Sequence, residues 1–389
     1  MKTSAAHSPG PARSTPQSGP APRILTAVPT CDGHDSAIMT VNLELVRRGV
    51  EVIYLGYHRS VADVVRAAIQ EDVQGVGLSS YNGGHIEFFD EVLRRLRRFG
   101  ARHIGVFGGG GGTITAADAR LMKRRGVDEI FLAGAPLSGM GEWVRRTYTR
   151  QPTLAAQRLH RPGPPSDLHL ARLLSTVSCG HHAPAPPAHA SASLVIGITG
   201  PGGAGKTTLL DELVLRFLNS RPHGRLAILT HDPCAPGHGA LLGDRATMVC
   251  AQDDRVFMRS LATTGRARGV SQATRGCLRI LRHAGFDVVF VESAGVGQED
   301  LPFACGLVDK QILVMSPEYG GRLQLQKTAL LEVADFVVVN KADLAGARTA
   351  LAELEQRLAQ NQRGQRLLAT VAKRHRDQGV DQLFREVLS

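Results

Sequence analysis

Short apolar runs alternate with amphipathic stretches along most of this chain. Between residues 23 and 135 the runs are ILTAV (24–28), EVIYLG (51–56), GVGLS (75–79), HIGVFG (103–108) and EIFLAG (129–134). Helical patterns fill the intervals near 36–48, 61–71, 86–99 and 116–125. Runs of this length predict strands. Helices between successive runs predict a parallel, doubly wound sheet with helices on both faces. The rhythm breaks over 136–193 and restarts at 194, with LVIGIT (194–199), LAILT (226–230), DVVFVE (287–292), QILVMS (311–316) and DFVVVN (335–340). An amphipathic stretch, VDQLFREVL (380–388), closes the chain. Two α/β domains are expected, 23–150 and 194–389. The linker between them, 151–193, carries a short bridging helix at LHLARLLSTV (168–177).

Composition changes this picture at its margins. Residues 1–22 are rich in Pro, Ser and Ala and read as a disordered tail. GHHAPAPPAHASAS (180–193) reads as a solvated linker rather than a metal site. The 389 residues include 46 Lys+Arg against 35 Asp+Glu, a net charge of +11. Much of that excess lies on helix faces such as EVLRRLRRFG (91–100), where Val92, Leu93, Leu96 and Phe99 share one side. With no aromatic platform or recognised module behind it, the charge predicts no nucleic-acid partner. The six cysteines show no C-x-x-C spacing, so neither a zinc framework nor a disulfide scaffold is expected. No apolar signal core and no apolar run of about 18 residues occur, which predicts a cytoplasmic protein without a membrane partner.

Ligands of parallel sheets sit beyond the carboxyl ends of the strands. Asp32-Gly33-His34-Asp35 follows the first run, SSYNGGH (79–85) the third and GGGGGT (108–113) the fourth, so all three collect on one edge. An imidazole at the mouth of a buried strand is either a helix-capping group or a ligand for something bound there.

GPGGAGKT (200–207) fits G-x-x-x-x-G-K-[ST], follows a strand and opens a helix. Its glycines let backbone amides cradle phosphate oxygens, and the helix N-terminus adds its positive end. The nucleotide-binding set is Gly202, Gly203, Ala204, Gly205, Lys206, Thr207 and Thr208. Lys206 would bridge the outer phosphates and Thr207 hold Mg²⁺. NKAD (340–343) resembles the guanine-reading motif of G proteins. Asp343 would accept from the guanine N1–H and 2-amino groups, which adenine does not offer. Asn340 would reach the other edge of the base and Lys341 would cover its face. In VESAGVGQ (291–298), Glu292 ends a buried strand and suits the Mg²⁺ shell, and Gly295 would offer its amide to the terminal phosphate. Asp232 and Asp244 fall near the same metal. Gln298 is a candidate to position the attacking water, with a structural role as the alternative.

The first domain resembles the cobalamin-binding domain of coenzyme-B12-dependent acyl-CoA mutases, whose pattern is D-x-H-x-x-G, S-x-L and G-G. The matching positions are Asp32, His34 and Asp35; Ser79 and Ser80; and Gly111-Gly112. The resemblance implies a flavodoxin-like fold, His34 as the lower axial ligand of cobalt, and Asp32 hydrogen-bonded to its other ring nitrogen. A slot at Ser79, Ser80 and the glycines would take the displaced dimethylbenzimidazole tail. Ala37 replaces the last Gly of the first motif and Tyr81 the Leu of the second.

The second domain is similar to the P-loop GTPase chaperones of these mutases, within the larger group of G proteins that deliver metal centres. The domain order is that of the fused isobutyryl-CoA mutases, which carry their own chaperone. The resemblance runs through VFGGGGGTI, GPGGAGKTT, ALLGDR, RVFMRSLA, MSPEYGG and VNKAD. Thr247 stands where the family tends to carry Arg, so the charge near the nucleotide is lost or passes to Arg245. No acyl-CoA-binding barrel is legible. The expectation is therefore a cobalamin-binding GTPase subunit, using adenosylcobalamin and Mg²⁺ with GTP or GDP. It would need a separate acyl-CoA-binding mutase subunit before any carbon skeleton is isomerised. A homodimer through the G domain is a further expectation. A free-standing chaperone and a cobalamin-responsive regulator are the alternatives.

Overall fold

The computed structural model describes residues 20–30, 36–149, 165–184, 192–234, 239–263, 269–295, 300–304, 306–319, 329–361 and 363–388. The first sheet comprises β1 (Arg23–Ala27), β2 (Glu51–Tyr54), β3 (Gly75–Ser79), β4 (Gly105–Gly109), β5 (Glu129–Phe131) and β8 (Ala240–Leu242). Their order is β5-β4-β3-β1-β2-β8, with every pair parallel. All of β1 and β3 is buried, which is why their runs are apolar without alternation. The sheet winds one way from β1 to β2 and the other way from β1 to β3, which opens a crevice at their carboxyl ends.

Five helices pack around this sheet: α1 (Ser36–Arg47), α2 (Val61–Gln70), α3 (His85–Arg98), α4 (Ala116–Arg125) and α5 (Leu137–Thr147). Capping boxes start α2, where Ser60 and Asp63 exchange bonds, and α4, where Thr115 and Asp118 do the same. Along α3, Val92, Leu93 and Leu96 are buried as their spacing predicts. Phe99, placed by the pattern on the same face, is instead 59% exposed, because the helix has ended and Phe99 is its C-cap. The stretch 136–149, where the alternation of apolar runs breaks off, holds α5. Helix α6 (Asp167–Ser178) stands where the bridging helix was predicted.

The second sheet is built from β6 (Leu194–Thr199), β7 (Leu226–Asp232), β9 (Val256–Ala262), β10 (Val288–Glu292), β11 (Lys310–Met315), β12 (Phe336–Val339) and β13 (Arg366–Ala369). Its order is β13-β12-β11-β6-β10-β7-β9, again all parallel. Helix α7 (Lys206–Ser220) leaves the central strand β6.

The two sheets share chain. After β7 the backbone crosses to the first domain, and β8 becomes an edge strand beside β2, with Glu51, Val52 and Ile53 opposite Ala240, Leu241 and Leu242. It returns through Gly243 and the short helix α8 (Asp244–Thr247). Next to this exchange lies a buried knot of charge. Glu71, with no exposed surface, accepts from Arg245 Nε at 2.8 Å, Arg23 Nη2 at 2.7 Å and the Ser260 amide at 3.1 Å. Arg259 Nε lies 3.8 Å away. Burial opposes the charge on Glu71, but Arg245, Arg23 and Arg259 outweigh it and hold its carboxyl below the usual range. Removing one partner from such a buried cluster costs about 3–5 kcal/mol, so the knot fixes the two domains against each other.

Candidate functional site

On the first domain the crevice at β1, β3 and β4 contains a cavity of 340 Å³, lined in part by Ala37, Ser79, Tyr81, Gly108, Gly110 and Gly111. The glycines are needed by the space they leave. A Cβ on Gly108 would stand 2.3 Å from the Leu78 carbonyl oxygen, and one on Gly110 only 1.9 Å from that of Ser80. A Cβ on Gly111 would meet the Tyr81 ring at 2.0 Å. Gly112, at φ +102°, takes a backbone conformation that L side chains rarely adopt. Tyr81 therefore covers the glycine strand end, and the hydroxyl of Thr113 donates to its carbonyl. A narrow, mainly apolar slot walled by bare backbone fits a flat aromatic group such as the dimethylbenzimidazole tail.

The predicted slot residues divide. Ser79 and Gly111 line the cavity, whereas Ser80 is fully buried with its hydroxyl 3.4 Å from the Asn82 carbonyl, and neither it nor Gly112 reaches the lining. Asp32, His34 and Asp35 lie outside the described residues. The chain entering that segment is tied down: His58 Nδ1 is 3.0 Å from the Thr30 carbonyl, and Pro29 forms a parallel bridge with Arg59.

On the second domain, β6 runs into the Gly-rich loop. Gly200, Gly203 and Gly205 all have positive φ, and Gly205 caps α7. Lys206 Nζ folds back over this loop, donating to the carbonyls of Gly200 at 3.0 Å and Pro201 at 3.1 Å. Ala204 is buried beneath it, while Gly202, Gly203 and Thr208 are exposed. A Cβ on Gly295 would stand 2.9 Å from Gly202, so the segment after β10 passes directly against the loop. Gln298 lies outside the described residues.

Thr207 donates to Glu292 Oε1 at 2.8 Å. Burial first, then Asp244, pushes the Glu292 carboxyl up to about 8; burial, Asp244 and Glu292 push Asp232 up to about 8. Burial raises Asp244 to about 6, and it also holds the Lys206 ammonium below its ordinary value. Asp232 Oδ2 and Glu292 Oε2 are buried without a hydrogen-bond partner. Buried, mutually repelling carboxylates with orphaned oxygens beside a threonine hydroxyl fit a hard divalent cation such as Mg²⁺. Among the described residues no three such side chains close to metal-ligand spacing.

Asn340 joins the NKAD segment to the Gly-rich loop. Its Nδ2 donates to the Ala204 carbonyl at 3.0 Å, and its Oδ1 accepts from Thr370 Oγ1 at 3.1 Å and the Ala372 amide at 3.0 Å. Lys341 has φ +58°, in the left-handed region that side chains rarely adopt. Asp343 pairs with Lys373 at 2.5 Å, which holds its carboxyl below the usual range.

One residue that braces the site carries no sequence motif, and one expected near the nucleotide lies elsewhere. His231, fully buried, places Nδ1 2.7 Å from the Glu292 carbonyl and Nε2 2.8 Å from Thr274 Oγ1, bracing the strand end that carries Glu292. Burial drives its pKa down to about 4, so the ring is neutral and donates from Nδ1. Arg245 does not take over the charge lost at Thr247: its guanidinium is fully buried on Glu71, because the exchange of β8 turns it toward the first domain.

A family model described as methylmalonyl-CoA mutase-associated GTPase MeaB matches residues 185–389, more than half of the chain. The chain belongs to this GTPase family. A B12 binding domain model matches residues 22–137 of the same chain. The fused isobutyryl-CoA mutase of Cupriavidus metallidurans is 37% identical over 394 residues, covering 95% of this chain and 36% of the relative. That of Geobacillus kaustophilus is also 37% identical over 394 residues, 93% of this chain and 36% of the relative. That of Nocardia farcinica is 36% identical over 390 residues, with 94% and 36% covered. The chain thus spans about a third of the length of these relatives. It joins a cobalamin-binding domain to a MeaB-type GTPase domain, and among the described residues no helix is long and apolar enough to cross a membrane.

Proposed function

We propose that this MeaB-family GTPase is the cobalamin-binding and GTP-hydrolysing subunit of an adenosylcobalamin-dependent acyl-CoA mutase, with GTP gating the loading or repair of the cofactor. The observation that carries the reading is the presence, in one chain, of a glycine-walled slot and a phosphate loop facing buried carboxylates. His34, with Asp32 as its hydrogen-bond partner, would hold the cobalt. Ser79, Gly108, Gly110 and Gly111 would receive the tail, with Tyr81 as its cover. When bound, adenosylcobalamin supplies the radical chemistry of carbon-skeleton rearrangement.

The G-site residues have distinct tasks. Lys206 exchanges its two loop carbonyls for the outer phosphates of GTP. Thr207, Asp232, Asp244 and Glu292 would hold Mg²⁺, which neutralises charge on those phosphates. Gly295, already against Gly202, offers its amide to the terminal phosphate, and Gln298 orients the attacking water. Asp343 releases Lys373 to accept from guanine, while Asn340 keeps the base site in register with the loop. In this reading the acyl-CoA site is supplied by a separate mutase subunit.

The visible spectrum of the protein titrated with adenosylcobalamin tests the proposal. Wild type should give the base-off, histidine-ligated form and His34→Ala should lose it. A wild type that binds no cobalamin while hydrolysing GTP overturns the first half of the reading.

A further inference from the structure

Asp244, proposed above as a ligand of the Mg²⁺ that accompanies GTP, belongs to a segment held largely by the other domain. The amides of Gly239 and Ala240 donate to the carbonyls of Val46 and Val50, at 3.0 and 3.2 Å. Residues 240–242 then pair with β2. On the far side of Asp244, Arg245 donates to Glu71 Oε1 at 2.8 Å and Gln70 Oε1 at 2.9 Å, and Arg59 Nη2 donates to the Ala246 carbonyl at 3.1 Å. Each of these anchors is a residue of the cobalamin-binding domain; from the GTPase domain itself, the Met258 carbonyl in β9 also accepts from Arg245 Nη2. A second thread runs through side chains. Ser260 Oγ is 3.2 Å from Glu71 Oε1 and 3.4 Å from Thr230 Oγ1, and Thr230 hydrogen-bonds Asp244.

We infer that Glu71, acting through Arg245, is a positioning residue for Asp244, so that the metal site of the GTPase is complete only when the cobalamin-binding domain is docked against it. Glu71 touches neither nucleotide nor metal in this arrangement. Its Oε1, with the neighbouring Gln70 Oε1, fixes the Arg245 guanidinium, while its Oε2 takes Arg23; that guanidinium fixes the turn on which the Asp244 carboxylate stands. Arg245 follows Asp244 directly and has no exposed surface, so it cannot swing without moving Asp244 or leaving Glu71 partly unpaired. The inference rests on the GTPase reading and adds to it where the geometry of the metal site originates.

GTP hydrolysis by the full chain, at saturating GTP and varied Mg²⁺, tests it. Removing a group that orients a metal ligand typically weakens metal binding about 10–100-fold. Arg245→Gln leaves Glu71 paired with Arg23, and should raise half-saturating Mg²⁺ by about tenfold or more while high Mg²⁺ restores most of the turnover. Arg245→Lys keeps the charge but loses the second bond, so it should shift less; it also serves should Arg245→Gln fail to fold. Ser175→Ala removes the 2.8 Å bond from Arg259 on the opposite side of the knot and should leave the Mg²⁺ dependence unchanged. An unshifted half-saturation in folded Arg245 variants overturns the inference, as does a loss of turnover that Mg²⁺ does not recover. A wild type without Mg²⁺-dependent GTP hydrolysis overturns the GTPase reading itself, a result that separates the two failures.

Discussion

Titrating the carboxylates of the G site should change stability in a direction opposite to ordinary acid denaturation. Burial and mutual repulsion raise both Asp232 and Glu292 to about 8, whereas they titrate near 4 when unfolded. The folded chain therefore binds more protons than the unfolded one between those values. Stability is fully present below the unfolded pKa and is lost as pH rises through the folded pKa. One carboxyl at 8 costs about 1.5 kcal/mol between pH 6.5 and 8, and two cost at most about 3 kcal/mol because they are coupled. His231, lowered to about 4, acts in the opposite sense; its unfolded ring is still about half protonated at pH 6.5, which offsets only about 0.4 kcal/mol of the loss at the start of the window. Thermal unfolding in EDTA without nucleotide should thus show a midpoint falling by about 5 °C from pH 6.5 to 8. Mg²⁺ with GDP should flatten the slope, because a cation holds the carboxylates ionised. Lys206, lowered by burial, contributes with the opposite sign at alkaline pH, so the decisive comparison is with Asp232→Asn, which should lose roughly half of the slope. A metal-free midpoint that is flat or rises over this window, or a slope unchanged in Asp232→Asn, would refute the electrostatic account of the site.

Two further outcomes follow from the close contacts. Gly110→Ala sets a methyl 1.9 Å from a backbone oxygen that cannot yield, so the spectral titration should show cobalamin affinity lowered at least about tenfold with the GTPase intact. Asn340→Ala strands the Ala372 amide, the Thr370 hydroxyl and the Ala204 carbonyl, at about 1–3 kcal/mol for each unsatisfied group. Thermal unfolding and fluorescent-GDP binding should both register it; loss of nucleotide affinity with unchanged stability would contradict the tie to the phosphate loop.

Much of this architecture was legible because both sheets are parallel and buried on both faces. Such strands announce themselves as uninterrupted apolar runs, and the Gly-rich loop, NKAD and the glycine run sit at their carboxyl ends. What escaped was written in other terms. β8 has three residues and β13 is largely exposed, so neither makes an apolar run. The run RVFMRSLA is broken by Arg259 and so lacks an uninterrupted apolar signal; in the fold that arginine is buried within β9 and lies close to Glu71. Phe99 obeyed the helical period one residue too far. His231 carries no motif, and its role depends on which strand lies beside β7.

The buried knot was illegible for a deeper reason. Arg23, Glu71, Arg245 and Arg259 lie far apart in the chain, and each alone reads as a solvated charge at the end of an element. Only the crossing of β8 onto the first sheet brings them together. That crossing also decides what the knot means. Replacing buried ion clusters by apolar residues is often neutral for stability, so four buried charges are weak evidence that the fold needs them as charges. A guanidinium whose donors reach Glu71 and Gln70 can hold the turn carrying Asp244 in one geometry, which an apolar contact cannot do. On the inference drawn above, the expense of burying these charges fixes Asp244, on one domain, from the body of the other.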